Sequence, residues 1–190
     1  MDLEASLRLL DQKMRDHTPA NEGAVQHLLA RAIREAEDLE PSVVEIEAAS
    51  GAKRIDIVVR PFAAGIEIKY HRPIPSGHNR PMTQQYGALL ADARKLAADE
   101  SLNERYLVLL TDREGLNHIS NKNLLPTAWD RDKPITAPKI RGLATTARTN
   151  AEANGPWIDI TARLIWQARA VGPDRMTGLA WSIRPLDLDS

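Results

Sequence analysis

The sequence predicts an α/β fold: a mixed central sheet flanked by helices, with a C-terminal β-hairpin. Apolar residues recur at helical spacing in two long segments, and short strand-like segments lie between them. A continuous apolar run follows the second of these helices, as in a buried central strand. The order helix, three strands, helix and strand indicates a mixed sheet between helix layers. We expect one domain over 1–190, with its core at about 20–112 and a C-terminal extension at 113–190.

Each element has its own signal. Residues 2–16 are amphipathic, and a second helix runs from Glu22 to about Leu39 with Asn21 as its N-cap. Strands are predicted at 43–48, 55–59, 66–70 and 105–111, and a helix at 82–96. Residues 112–156 are polar and irregular, with a short helix near 136–153. Alternation at 158–166 and 179–183 predicts a hairpin that could extend the sheet, form a dimer edge or carry substrate specificity.

Three charged residues lie inside predicted strands, Asp56 in one and Glu67 and Lys69 in the next. Buried charges are costly unless they are paired. A divalent metal held by the two carboxylates, with the lysine beside it, would offset that cost and suit phosphodiester cleavage. If Val59 pairs with Ile66, Asp56 lies opposite Lys69 and on the diagonal from Glu67, still within reach of a shared ion.

The pattern of an aspartate, ten intervening residues and Glu-x-Lys resembles the PD-(D/E)xK nuclease superfamily, which includes many restriction endonucleases. Ile55 stands where that family has its proline. The resemblance implies a restriction-endonuclease-like αβββαβ core and a Mg²⁺ cofactor, with Mn²⁺ as a substitute. It implies Asp56, Glu67 and the carbonyl of Ile68 as metal ligands. Lys69 would orient or help to deprotonate the attacking water and neutralise the transition state.

Two more residues fall at positions that the family uses. Glu22 matches a glutamate on the first core helix that often helps to bind metal, although it could equally be a solvated residue at a helix start. Gln84 and Gln85 fall where recombination-type members carry a glutamine on the helix after Glu-x-Lys. We assign Gln85 as the catalytic candidate, against the alternative that both glutamines form an ordinary polar first turn.

The composition of the chain excludes several kinds of functional site. The chain has no cysteine, which excludes disulfides, thiolate zinc sites, cysteine nucleophiles and the iron–sulfur cluster of some related exonucleases. The histidines lack zinc spacing, and there is no glycine-rich phosphate loop. Glu45 and Glu47 could join the site, but as alternating residues they are interpreted as a solvated strand face.

The net charge of −1 argues against large non-specific affinity for DNA. However, residues 69–91 contain no acidic residue, and Arg72, His78 and Arg80 lie there. We predict that these three residues contact DNA and offset the repulsion between carboxylates and phosphate. The alternative is a solvated loop stiffened by prolines. A second basic stretch holds Lys133, Lys139, Arg141 and Arg148.

The sequence has no signal-peptide pattern and no apolar run of membrane length, so we expect a cytoplasmic protein without a membrane partner. DNA is the expected partner. A homodimer is expected if both strands of a duplex are cut, since strands of opposite polarity are related by a two-fold axis. The helix around Leu3–Met14 and the hairpin of Trp166 and Trp181 are the predicted contact surfaces.

The sequence thus predicts a metal-dependent deoxyribonuclease, either an endonuclease or an exonuclease. The first alternative is a non-catalytic nucleic-acid-binding or subunit protein on the same fold, in which the three strand charges form a buried ion pair. The second is an accidental pattern in an ordinary α/β protein. Binding of a divalent metal separates the nuclease from the first alternative.

Overall fold

A computed structural model describes residues 1–16, 19–50, 53–71, 82–127, 132–172 and 174–186. It has six α-helices over these residues: α1 (Leu3–Asp16), α2 (Glu22–Ala36), α3 (Met82–Ala97), α4 (Arg113–Lys122), α5 (Ala137–Arg141) and α6 (Thr145–Ala151). Its strands are β1 (Val44–Ser50), β2 (Lys53–Val59), β3 (Ala64–His71), β4 (Glu104–Thr111), β5 (Lys133–Ile135), β6 (Ile160–Val171) and β7 (Met176–Pro185). The predicted order from the second helix to the fourth strand is therefore confirmed.

The seven strands form one mixed sheet in the order β1-β2-β3-β4-β7-β6-β5. Only β3 and β4 are parallel, and the chain crosses between them through α3. The C-terminal hairpin of β6 and β7 pairs with β4 along the whole of that strand's apolar run. Of the three roles left open for the hairpin, the structure shows that it extends the sheet.

Helices cover both faces of the sheet, and each face has its own apolar cluster. Helices α1 and α2 pack on one face with Ile57, Ile66 and Ile68. Helix α3 packs on the other face, with Val58 and Leu109. Ile55 joins the α3 cluster, although its alternation with Ile57 had predicted one shared face. Because the faces of β3 alternate, α3 covers the face that carries Glu67 and Lys69.

The predicted dimer surfaces are wrong, because their apolar side chains are buried within this chain. The apolar stripe of α1 packs against α2 and β6, and its four members are at most 2% exposed. Trp181 is buried and its indole N–H donates to the carbonyl of Pro126, while Trp166 packs in the cluster of α1 and α2. The stripe consists of Leu3, Leu7, Leu10 and Met14.

The segment 112–156 is more regular than predicted. Asp112 caps α4 by accepting the N–H of Gly115 at 2.8 Å, and Asn123 ends that helix in the left-handed conformation. The single short helix expected near 136–153 is two helices, α5 and α6, and β5 adds an edge strand. Across the described ranges, no helix is both long and apolar enough to cross a membrane.

Candidate functional site

The hairpin of β2 and β3 brings the two strand carboxylates together in a register that differs from the predicted one. Ile57 pairs with Ile66 and Val59 with Ala64, two residues from the expected pairing. Continuing this register by one residue places Asp56 across from Glu67, rather than across from Lys69. Because the shift is an even number of residues, it leaves Asp56, Glu67 and Lys69 together on one face, as predicted.

The loop explains the shift. A 3-10 helix over Arg60–Phe62 and the left-handed Ala63, with φ of 45°, close the turn early. Residues 64 and 65, predicted in the loop, therefore belong to β3. Gly65 fits because a Cβ there would lie 2.5 Å from Cδ1 of Leu102, which packs over the strand.

Asp56 occupies the point where β2 and β3 stop pairing. Its Oδ2 accepts the backbone N–H of Ile68 at 2.7 Å. In a strand, the N–H and C=O of one residue point to the same edge, so the carbonyl of Ile68 faces this edge as well. Burial raises the pKa of Asp56 above its ordinary value, while the bond from Ile68 and the nearby lysines oppose that rise.

Glu67 is the most buried charged side chain of the site, with 1% exposure. Its Oε1 lies 2.6 Å from Nζ of Lys95, on α3. Burial raises the pKa of Glu67 to about 8, and the negative charges of Asp56 and Asp92 add to the rise, while Lys95 opposes it. The side chain therefore sits where a positive charge is strongly favoured.

Lys69 points to different partners. Its Nζ lies 3.0 Å from Oδ2 of Asp92 and 3.3 Å from Oε1 of Glu22. Burial lowers its pKa, but Asp92 and Glu22 outweigh that effect, and the net result is a raised pKa. Lys69 is therefore a firmly held ammonium group.

Glu22 reaches the site from the first turn of α2. Asn21 caps this helix as predicted, accepting the N–H of Ala24 at 2.9 Å. The other carboxylate oxygen of Glu22 accepts the backbone N–H of Tyr70 at 3.1 Å. Glu22 thus links α2 to β3 and contacts Lys69, which is more than a solvated helix-start residue does.

Asp92 and Lys95 are site residues that the sequence analysis missed. They lie one turn apart on α3, and Nζ of Lys95 is 3.8 Å from Oδ1 of Asp92. A usable signal was present, because apolar residues surround them on nearly every side of this helix. A helix that is apolar all round is buried, so its charged residues require partners.

Gln85 lies two turns before Asp92 on the same side of α3. It lines a small cavity with His71. His71 comes two residues after Lys69 in β3 and therefore lies on the same face as Glu67 and Lys69. Burial, with help from Lys69, lowers the pKa of His71 to about 4, so this imidazole is neutral at pH 7. Gln85 thus shares a cavity with His71 two helical turns from Asp92, and its catalytic role stays a prediction.

The remaining predicted residues fall into two groups. Arg72, His78 and Arg80 lie outside the described residues. Glu45 and Glu47 form exposed ion pairs with Arg60 and Arg54, which confirms that they belong to a solvated face.

The donor chemistry of the site fits a hard divalent cation. The cluster contains four carboxylates (Glu22, Asp56, Glu67 and Asp92) and two ammonium groups (Lys69 and Lys95), an excess of two negative charges when all four carboxylates are ionised. Carboxylate and carbonyl oxygens are the ligands that Mg²⁺ prefers. Within the part of the chain that the structure describes, no three His, Asp or Glu side chains are arranged to hold a metal, and Lys69 and Lys95 pair with three of the four carboxylates. The cluster thus matches such an ion in ligand chemistry and charge, but Lys95 contacts Glu67, one of the carboxylates that the ion would use.

Comparison with family models, with curated proteins and with solved structures gives no significant match for this chain. The function of the protein therefore has to be inferred from the site itself.

Proposed function

We propose that this protein is a metal-dependent deoxyribonuclease of the PD-(D/E)xK type, which hydrolyses phosphodiester bonds of DNA with Mg²⁺ or Mn²⁺. The observation that carries the proposal is the register that sets Asp56 across from Glu67 in a cluster whose four carboxylates outnumber its two ammonium groups. Excess negative charge of this size in a half-buried site destabilises a protein unless a cation binds there. The element order over α2–β4 agrees with the αβββαβ core that the proposal requires.

The residues take distinct roles in this proposal. Asp56, Glu67 and the carbonyl of Ile68 would hold the metal at the unpaired edge of β3. When bound, a divalent ion supplies Lewis-acid activation of water and offsets charge on the phosphate. Lys69, fixed by Asp92 and Glu22, would stabilise the transition state through its positive charge rather than as a base. Gln85 would orient substrate beside it.

DNA would approach from the end of β3 that carries Lys69. Arg72, His78 and Arg80 follow that strand directly in the sequence, and they would supply the positive charge that phosphates need near four carboxylates. If the enzyme cuts both strands as a homodimer, the contact has to use a surface other than the buried stripe of α1 and the hairpin tryptophans.

One observation favours a second candidate, a non-catalytic nucleic-acid-binding or subunit protein. Lys95 and Lys69 already pair with Glu67 and Asp92, so the cluster has internal partners. A site completed by these pairs would need no metal. This candidate predicts that the wild-type protein binds neither Mg²⁺ nor Mn²⁺.

The deciding experiment combines cleavage and calorimetry. Wild-type protein is incubated with Mg²⁺ or Mn²⁺ and with plasmid, linear and branched DNA, beside Glu67→Gln and the control Glu45→Gln. Glu45 is a carboxylate on β1 in an exposed ion pair, so its variant should cleave like the wild type. We expect metal-dependent cleavage that only Glu67→Gln abolishes. No cleavage of any substrate together with no metal binding would favour the second candidate.

A further inference from the structure

Lys95 is largely buried, and its ammonium contacts both a carboxylate of the site and the backbone of β2. Its side chain is 15% exposed, and its Nζ lies 2.6 Å from Oε1 of Glu67. The same ammonium donates to the backbone carbonyl of Arg54 on β2 at 2.9 Å. Lys95 therefore joins α3 to both strands of the catalytic hairpin, next to the carboxylate that is most deeply buried.

The two lysines of the cluster divide the carboxylates between them. Lys69 contacts Glu22 and Asp92, whereas Lys95 contacts Glu67. Asp92 also lies 3.8 Å from Lys95, so a second carboxylate is within reach if the ammonium leaves Glu67. Lys95 thus pairs with Glu67 and has a second carboxylate, Asp92, close enough to become its partner instead.

A metal and Lys95 cannot both use Oε1 of Glu67 without strong repulsion. A Mg²⁺ ion would lie at about 2.0–2.1 Å from its carboxylate ligand. The Lys95 ammonium is 2.6 Å from the same oxygen, so the two cations would be only a few ångströms apart. Like charges at that separation in a half-buried site repel strongly.

From this geometry we propose that Lys95 is an internal counter-ion that competes with the divalent metal for Glu67. It pairs with Glu67 in the metal-free protein, and it moves toward Asp92 when a metal binds. Lys95 is then a residue that sets metal affinity, and it is not a metal ligand. This inference rests on the proposed metal site, but its test separates the two.

The test is Mn²⁺ calorimetry on the full chain with Lys95→Gln, which removes the charge but can still donate to the carbonyl of Arg54. Lys13→Met is the matched control. Lys13 pairs with Glu35 on the opposite face of the sheet, and its side chain is 17% exposed. We expect Lys95→Gln to bind Mn²⁺ about tenfold tighter than the wild type or more, and Lys13→Met to bind like the wild type. Melting in EDTA should show a loss of stability in Lys95→Gln that saturating Mn²⁺ reverses. If Lys95→Gln fails to fold, Lys95→Met is measured against the same expectation.

The outcomes separate the inference from the proposed function. Wild-type binding that Lys95→Gln leaves equal or weaker would overturn the competition and leave the metal site standing. Binding by Lys95→Gln but not by the wild type would support the competition and overturn the metal-dependent activity of the natural sequence. No binding by either protein would overturn the metal site and the competition with it.

Discussion

Replacing Glu67 with glutamine should make the metal-free protein more stable, and increasingly so as the pH rises. The pKa of Glu67 is about 8 in the folded protein, because burial and two neighbouring carboxylates disfavour its charge, against an ordinary value of 4.5. The folded state therefore binds this proton more tightly than the unfolded state does. Between pH 4.5 and 8 the contribution of Glu67 to wild-type stability falls as the pH rises, whereas glutamine mimics the protonated form at every pH.

The size of the effect follows from the width of that window. Each pKa unit corresponds to about 1.4 kcal/mol. The difference in unfolding free energy between Glu67→Gln and the wild type should be under about 1 kcal/mol at pH 5, about 3 kcal/mol at pH 7 and about 5 kcal/mol at pH 9. Carboxylates far from Glu67 titrate alike in both proteins and cancel in this difference.

Urea unfolding in EDTA, followed by tryptophan fluorescence at the three pH values, measures this difference. Glu45→Gln, on an exposed face, should show no such trend. Adding Mn²⁺ should stabilise the wild type and not Glu67→Gln, since a ligand that binds only the folded state stabilises it. A pH-independent difference, or a Glu67→Gln variant that is less stable at pH 9, would refute the inference that ionised Glu67 destabilises the metal-free protein.

Asp56→Asn should abolish cleavage while keeping the fold, because the amide oxygen can still accept the N–H of Ile68; nuclease assays and melting curves test it, and an active variant would remove Asp56 from the site. Lys69→Met should stop cleavage and keep Mn²⁺ binding in calorimetry, since Lys69 pairs with Glu22 and Asp92 rather than with Asp56 or Glu67. Asp92→Asn should slow single-turnover cleavage roughly 10–100-fold by freeing Lys69, with Asp92→Glu partly restoring it. Arg72→Ala with Arg80→Ala should reduce the slope of log K against log salt by about 0.9 per lost phosphate contact, and an unchanged slope would place the DNA elsewhere.

The faces of the hairpin of β2 and β3 could be predicted from the sequence, and its register could not. Alternation places Glu67 and Lys69 on one face whatever the pairing, because a shift of two residues preserves it. The register depended on the conformation of the turn, where a left-handed Ala63 has no composition signal as clear as glycine. Asp92 and Lys95 were missed for a different reason. Charged residues on a helix are usually solvated. The apolar neighbours of these two on α3 indicate that they are enclosed, but the packing of α3 between the sheet and α6 is needed to show which residues they face.

Two carboxylates of the site also accept hydrogen bonds from backbone N–H groups of β3. This strand pairs with β4 along its whole length, but with β2 only as far as Ile66. Beyond that point, alternate N–H groups on this edge of β3 face no neighbouring strand, and side-chain carboxylates accept their hydrogen bonds instead. Asp56 accepts the N–H of Ile68, and Glu22 accepts the N–H of Tyr70. The charged cluster is therefore built into the strand edge, and its acids have a structural use as well as the proposed chemical one. An alanine variant removes both at once, so unfolding of Asp56→Ala would say nothing about catalysis. Only the amide variants, which keep an acceptor and remove the charge, separate the two roles.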